Sequence, residues 1–526
     1  MSIDMQTIEG WIARASEAGI WGEDGLIQAE TGSDKAEALV YRRSVKQSGK
    51  TTFAMLKVAD ASREGPVFSW DRLLGIFAPG DVLKGFEGQA VELSRGKALF
   101  APLSHANAEA LRRTLPFTAP SALADQPITF GTGDRLGSAG PGHLRAMAGY
   151  RVCPVLAQQS VRELELTGRD YGQVLDAATW AVFQEGYEGP WGADGDHLKS
   201  EEWVRTALQI GFTFITADVS DYIRNEYAAA DEDEVLAAYE RIRAEERKRI
   251  EDTYLPLAIE LDTGERIRFT REILARTVLI YAEAIRHALR LYRAGVEIKA
   301  EGAFDFELSV DETETPTTPE AHLFVALEAQ RLEMKIGSIA PRFVGEFQKG
   351  IDYIGDTEEF RRTFATHAAL ARHFGHRVSV HSGSDKFSVF PIVGELTGGR
   401  FHIKTAGTHW LEAMKTIAAH EPQLYRRLHR AALERFEAAR RYYVVTTDLD
   451  KVPSLDEIAD ADLPSLFEKR DSRQLIHITY GELLKDEELG PCFYDALHRH
   501  REAYCSAVEL HTKHHLESLG VLRSGS

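Results

Sequence analysis

The stretch RVSVHSGSDKFSVFPIVGELTGGRFHIKTAG (377–407) decides the fold. It holds a short β-rich run, a loop rich in Gly, Ser and charge, a helical stretch, and a second β-rich run ending in another polar loop. That unit recurs upstream. Candidate strands are PITFGTG (127–133), RVCPVLAQ (151–158), WAVFQEG (180–186), FTFITAD (212–218), AFDFELSV (303–310) and APRFVGEF (340–347), with RVSVHSG (377–383) and RFHIKTAG (400–407) completing the set. Eight β-rich runs alternating with helical stretches predict a parallel β/α barrel of the TIM type.

The remaining chain is organised around that barrel. Residues 1–115 predict an α+β extension in which amphipathic helices alternate with strands such as ALVYRRSV (38–45) and TTFAMLKVA (51–59), joined by a Gln-Ser-Gly-Lys turn. The barrel is expected over 116–420. It carries a helical insertion at about 225–265, where DEDEVLAAYERIRAEERKRIEDTY (231–254) reads as one solvated helix, with an oligomer contact as one use for it. REILARTVLIYAEAIRHALRLYRAG (271–295) reads as the barrel helix leading to the fifth strand. Residues 421–526 predict a helical region packed on the barrel, and its late histidines at 498, 500, 511, 514 and 515 read as a polar surface helix rather than a metal site.

Composition excludes several function classes. The chain has 81 acidic and 62 basic residues, a formal charge of −19, which argues against a nucleic-acid partner. No apolar run approaches the length of a membrane span. Cys153, Cys492 and Cys505 are too few and scattered for a disulfide framework. With an N-terminus lacking a basic-then-apolar pattern, these features predict a cytoplasmic location. Gly49-Lys50-Thr51 is not a phosphate loop, because Ser44 stands where the motif needs Gly. Gly131-Thr-Gly133-Asp-Arg-Leu-Gly137 approximates a dinucleotide fingerprint, but the next strand ends in glutamines rather than an acid.

In a β/α barrel the reactive groups stand at the C-terminal strand ends. Here those ends carry Asp134 and Arg135; Asp194, Asp196, His197 and Lys199; Asp218; Glu307, Asp311 and Glu312; Arg342, Glu346 and Gln348; His381, Ser382, Asp385 and Lys386; and Lys404 and His409. Carboxylates and imidazoles beside Lys and Arg suit a divalent metal ion and an anionic, hydroxyl-rich ligand. The sequence does not distinguish Zn, Mn, Ni or Co. His197 and His381 rank first as ligands because each neighbours an acidic group able to orient it, Asp196 and Asp385 respectively; Glu307 and His409 follow. Asp196, Glu307 and Asp385 are the catalytic candidates.

Four segments, HSGSDKFSVFP (381–391), FHIKTAGTHWLEA (401–413), ADGDHLKS (193–200) and ITFGTGDRLG (128–137), resemble the tagaturonate epimerase family of hexuronate catabolism. Gly-Asp-His-Leu also resembles a stretch of the tagatose-bisphosphate aldolase auxiliary subunit, and His-Ser-Gly-Ser with Phe-Glu-Leu resembles class II aldolase loops. That comparison implies Asp196 as base, His197 and His381 as metal ligands, and Glu307 near the metal. The aldolase loop is normally His-Gly-Gly-Ser; here Ser382 replaces a Gly, and Asp385 would repel a phosphate. The expected substrate is therefore an unphosphorylated sugar acid, with Asp134, Arg135, Arg342, Gln348, Ser382, Lys386 and Lys404 around it as binding residues. The resemblance implies interconversion of tagaturonate and fructuronate by retro-aldol cleavage and re-addition. A ketose-acid aldolase or isomerase, and a silent barrel stabilising an aldolase, are the alternatives.

Overall fold

The structure, a computed structural model, describes residues 26–29, 38–58, 72–78, 85–93 and 96–524. The helices expected ahead of the first strands lie outside the described residues. The N-terminal part forms a seven-stranded antiparallel sheet. Gly49, with φ 61°, makes the turn between Lys46–Ser48 and Thr51–Val58.

Eight parallel strands close the barrel: β1 (Ile128–Thr132), β2 (Cys153–Ser160), β3 (Gly192–Leu198), β4 (Phe214–Asp218), β5 (Asp305–Val310), β6 (Ser338–Pro341), β7 (Arg377–Val380) and β8 (Phe401–Thr405). Closure comes from β8 pairing with β1, from Phe401 opposite Ile128 to Thr405 opposite Thr132. Alternation sorts each strand. In β5, Phe306, Leu308 and Val310 join the apolar layer under the helices, while Asp305, Glu307 and Ser309 are buried polar residues of the opposite face. Many barrels fill this interior with branched aliphatics. Here Asp194, Thr216, Glu307, Ser338 and Lys404 occupy it, all buried.

Two of the expected strands are displaced. Trp180–Gly186 is not the third strand; it ends the helix Tyr171–Glu185, which opens with a capping box at Asp170 and Gln173 and closes on left-handed Gly186. Its apolar run is continuous because the helix is clamped on two sides. Trp180 and Phe183 pack with Phe53, Met55 and Leu74 of the N-terminal sheet, while Val174, Leu175 and Val182 belong to the barrel's own apolar layer. The true third strand, GADGDHL, has small and acidic residues of low strand propensity, tolerated because its neighbours bury them. The sixth strand lies earlier than expected, at Ser338–Pro341, and Phe343–Phe347 belongs to the following loop.

The insertion also departs from expectation. It is two helices, Glu232–Glu240 and Ala244–Tyr254, followed by a hairpin of Ala258–Glu260 and Arg266–Arg268. Val235, Tyr239, Ile250 and Tyr254 are buried against the barrel helix Arg271–Ile298 and its neighbours, so only one face is solvated. The C-terminal region packs over the barrel opening: Leu463, Leu475, Ile476 and Tyr480 share a core with Leu136, Leu166 and Trp410. No helix among the described residues is long and apolar enough to cross a membrane.

The last helix, Arg501–Ser518, is docked without slack. A Cβ at Gly394 would stand 2.0 Å from the Leu519 carbonyl oxygen, a backbone atom that cannot swing aside. Gly394→Ala is expected to lower stability by about 1–3 kcal/mol, read as a lower urea midpoint at unchanged slope.

Candidate active site

Lys404 is the hub of the barrel opening. Its Nζ lies 2.8 Å from Asp194 Oδ2, 2.7 Å from Asp196 Oδ1 and 3.1 Å from Glu307 Oε1, and it also donates to Thr216 Oγ1. Strand geometry produces this convergence. Asp194 and Asp196 are two apart on β3 and face one way, while Thr216 and Glu307 are directly paired in the β4–β5 register. Burial alone would lower the Lys404 pKa, but the three carboxylates outweigh it and hold the ammonium charged.

The imidazoles sit beside this hub. Glu307 Oε1 meets His381 Nε2 at 2.7 Å, and its Oε2 accepts from Ser338 Oγ at 2.6 Å. His381 Nδ1 lies 3.2 Å from Asp311 Oδ1, and the His197 and His381 rings are 4.9 Å apart between centroids. His197 Nδ1 is 3.5 Å from Asp218 Oδ2. Both residues are held by unusual backbone: His197 itself has φ 52°, and Ser382, next to His381, has φ 50°. Left-handed non-glycine residues cost energy and cluster at sites where geometry is imposed.

Whether these groups fit a divalent ion is answered by their unmet needs. His197 Nδ1 and His381 Nδ1 are both buried and face only the carboxylates of Asp218 and Asp311, with no well-formed hydrogen bond to either. One ligand atom each from His197, Asp311 and His381 lies within 4.8 Å of the others. With Nε2 engaged by Glu307, His381 would present Nδ1 to an ion in its neutral form, the usual arrangement of a metal-bound imidazole braced by a carboxylate. Burial disfavours charge on both rings, but the surrounding acids outweigh it and raise their pKa values, His197 to about 10. Acids gathered so densely call for positive charge, and the residues fit an ion.

Sequence and fold are shared with known proteins. The family described as tagaturonate epimerase matches residues 41–519.

This chain belongs to the tagaturonate epimerase family.

A tagaturonate/fructuronate epimerase of Thermotoga maritima is 42% identical over 482 residues, 91% of this chain and 96% of that protein. The native crystal structure of fructuronate-tagaturonate epimerase from Cohnella laeviribosi is 44% identical, with a TM-score of 0.87 over 98% of this chain and 100% of that one. A glycerol complex of the same enzyme gives 43% identity and a TM-score of 0.86 over the same shares. As a member of this epimerase family the chain is an enzyme of the isomerase class.

Of the residues expected at the opening, the structure brings together Asp194, Asp196, His197, Asp218, Glu307, Asp311, His381 and Lys404. Several others are committed elsewhere. Asp134 caps the following turn, its carboxylate accepting from the backbone amides of Leu136, Ala139 and Gly140. Arg135 is held by Glu163 at 2.6 Å and lies over the Tyr480 ring. His409 is not beside the other imidazoles: its Nε2 accepts from the Arg135 amide at 2.9 Å, and burial with Arg135 nearby keeps it neutral. Arg342 donates to the Thr313 carbonyl and lines a cleft with Glu265, Thr317 and His367 on the barrel's flank. Gln348 accepts from Thr446 and Gln474, bracing two loops. Lys386 points at the carbonyls of Gln348, Ile351 and Ser384, and burial pushes its pKa down to about 7.

Asp385, expected to be catalytic, works against the C-terminal region instead. It pairs with Arg473 Nη2 and His511 Nε2, both at 2.5 Å, and its amide donates to His515 Nε2 at 3.1 Å. The late histidines are therefore not all on a surface helix: His515 is buried and His511 faces the barrel. Their long-range partner, 126 residues away for His511, left no trace in local periodicity. Among the remaining members of the cluster, Asp194, Asp218, Asp311 and Thr216 were not ranked. The alternation of Asp194 with Asp196 is the signal that a correct third strand would have exposed.

Proposed function

We propose that the protein interconverts D-tagaturonate and D-fructuronate, using a divalent ion held by His197, Asp311 and His381. The two sugars differ in configuration at the hydroxyl-bearing carbon β to the ketone. A proton on that carbon is not acidified by the carbonyl, so enolisation alone cannot invert it. Retro-aldol chemistry can. A base takes the β-hydroxyl proton, the bond between the α and β carbons breaks, and its electron pair passes into an enediolate. The three-carbon aldehyde acid turns its other face, the same bond re-forms, and the alkoxide recovers the proton. A bound divalent ion supplies Lewis-acid polarisation of the ketone.

Asp196 would move that proton. Its Oδ1 takes Lys404, and no hydrogen bond is drawn to its other oxygen among the described residues, whereas Glu307 has both oxygens engaged by Ser338 and His381. Burial would raise the Asp196 pKa, but Lys404, His197 and His381 outweigh it and keep the carboxylate ionised, the form a base requires. Glu307 orients His381, and Lys404 offsets the negative charge that develops as the hydroxyl proton leaves.

The reading is carried by one arrangement, two buried imidazoles and a carboxylate whose ligand atoms lie within 4.8 Å of one another at the opening of a barrel of this family. The test is proton NMR of tagaturonate incubated with the enzyme. Fructuronate is expected without added nicotinamide, activity is expected to vanish on thorough chelation and to return with a divalent ion. Full activity after metal stripping overturns the ion, and accumulation of free three-carbon aldehyde acid in place of the epimer makes the enzyme an aldolase.

A further inference from the structure

A sugar acid needs a counter-charge, and the cations expected to provide it are occupied. Arg135 is paired with Glu163, Arg342 with a carbonyl, Lys386 with three carbonyls and Lys404 with three carboxylates. Lys349 differs. It stands in the loop after β6, half-buried, and its Nζ donates to Ser382 Oγ at 2.9 Å, on the residue that follows His381. It forms no ion pair among the described residues. Burial lowers its pKa, and Arg162, stacked over Tyr443, and Arg135 lower it further, against the weaker pull of the Glu163 and Asp196 carboxylates.

The surroundings of Lys349 also have unmet needs. His477 reaches in from the C-terminal region and packs on the two glycines flanking the opening. A Cβ at Gly350, next to Lys349, would lie 3.0 Å from the His477 Cβ, and one at Gly407, just beyond β8, 2.0 Å from its Cε1. Both nitrogens of His477 and the Nη1 of Arg135 are buried with no hydrogen-bond partner. Buried polar atoms are rarely left so unless something else binds them; His477, which burial keeps neutral, has one N–H to offer. A lysine with no ion pair, bonded to the residue that follows His381 and beside orphaned polar atoms of Arg135 and His477, has the makings of an anion site.

We propose that Lys349 binds the substrate's carboxylate, with Arg135 Nη1 and His477 beside it, and that it thereby selects ketose acids over neutral ketoses. This rests on the epimerase reading. The carboxylate would lie at the far end of the sugar from the ketone, so the C-terminal helical region, through His477, helps set substrate choice.

The test compares wild type with Lys349→Met and Lys349→Arg on tagaturonate and on the neutral ketose that carries a hydroxymethyl group in place of the carboxylate. Losing one charge-assisted hydrogen bond raises KM for the acid by about 10–100-fold. The expected result is that rise in K349M with kcat changed little, partial recovery in K349R, and kcat/KM for the neutral ketose unchanged. An unaltered KM for the acid, or equal losses on both sugars, overturns the assignment while leaving epimerisation standing. Should wild type epimerise nothing, the functional reading fails, and calorimetric titration with D-gluconate judges Lys349 separately. Binding at least tenfold weaker in K349M supports the site, and equal or absent binding in the two proteins overturns it.

Discussion

Replacing Lys404 by Met is expected to cut activity by about 10²–10³-fold, the usual cost of removing a preorganised charged donor, and to destabilise the fold by roughly 3–5 kcal/mol, as for any buried ion pair broken from one side. Asp194, Asp196 and Glu307 would remain in the barrel interior with no ammonium among them. The pH dependence identifies the cause. In the wild type, Lys404 and the imidazoles hold Asp196 and Glu307 below their ordinary pKa values despite burial. Their contribution is present above the unfolded values near about 4 and is lost as pH falls through the folded ones. Without Lys404, burial dominates and lifts the carboxylates above those values. The sign then reverses, because a raised folded pKa favours the protonated, folded state as pH falls. Urea melts at pH 8 and pH 5.5 should show the deficit of K404M shrinking at the lower pH. A deficit that grows toward acid would contradict the arrangement described here.

Replacing His381 by Ala is expected to abolish ion binding and activity together. The residue offers Nδ1 beside Asp311 and is steadied through Nε2 by Glu307, so its loss removes a ligand and leaves a buried carboxylate short of a partner. Glu307→Gln provides the contrast. It spares every proposed ligand and alters the brace, together with one carboxylate of the Lys404 hub, a change of the kind that typically costs about 10–100-fold in affinity or activity. Metal content after gel filtration, measured alongside turnover, separates the two variants. An H381A protein that keeps its ion would remove His381 from the ligand set.

Much of this architecture is legible in the sequence, for a reason specific to barrels. Each inward position is followed by an outward apolar one, so Phe306, Leu308 and Val310 advertise β5 even though Glu307 lies between them. The same rule fails for β3. Gly192, Ala193 and Gly195 give no β signal, and the apolar helix ending at Glu185 counterfeits one. His197 and His381 could be found because each closes a strand. Asp385, His409 and Lys386 misled for that same reason: position after a strand says nothing about which way a loop turns. Their partners, Arg473 and His511 for Asp385 and the Arg135 amide for His409, lie far away along the chain. Lys349 directly follows Gln348, which was named at the strand end, and nothing in the local sequence shows that the lysine is the one that reaches Ser382.

The link between Asp385 and the pair Arg473 and His511 has a bearing on how the protein comes into being. The barrel ring is covalently complete once Thr405 has been made, but Asp385, in the turn that follows His381, meets these two partners only 88 and 126 residues further along the chain. During vectorial synthesis a ribosome-bound intermediate can hence close its cylinder before that carboxylate is paired. The final helix then completes the support of the turn.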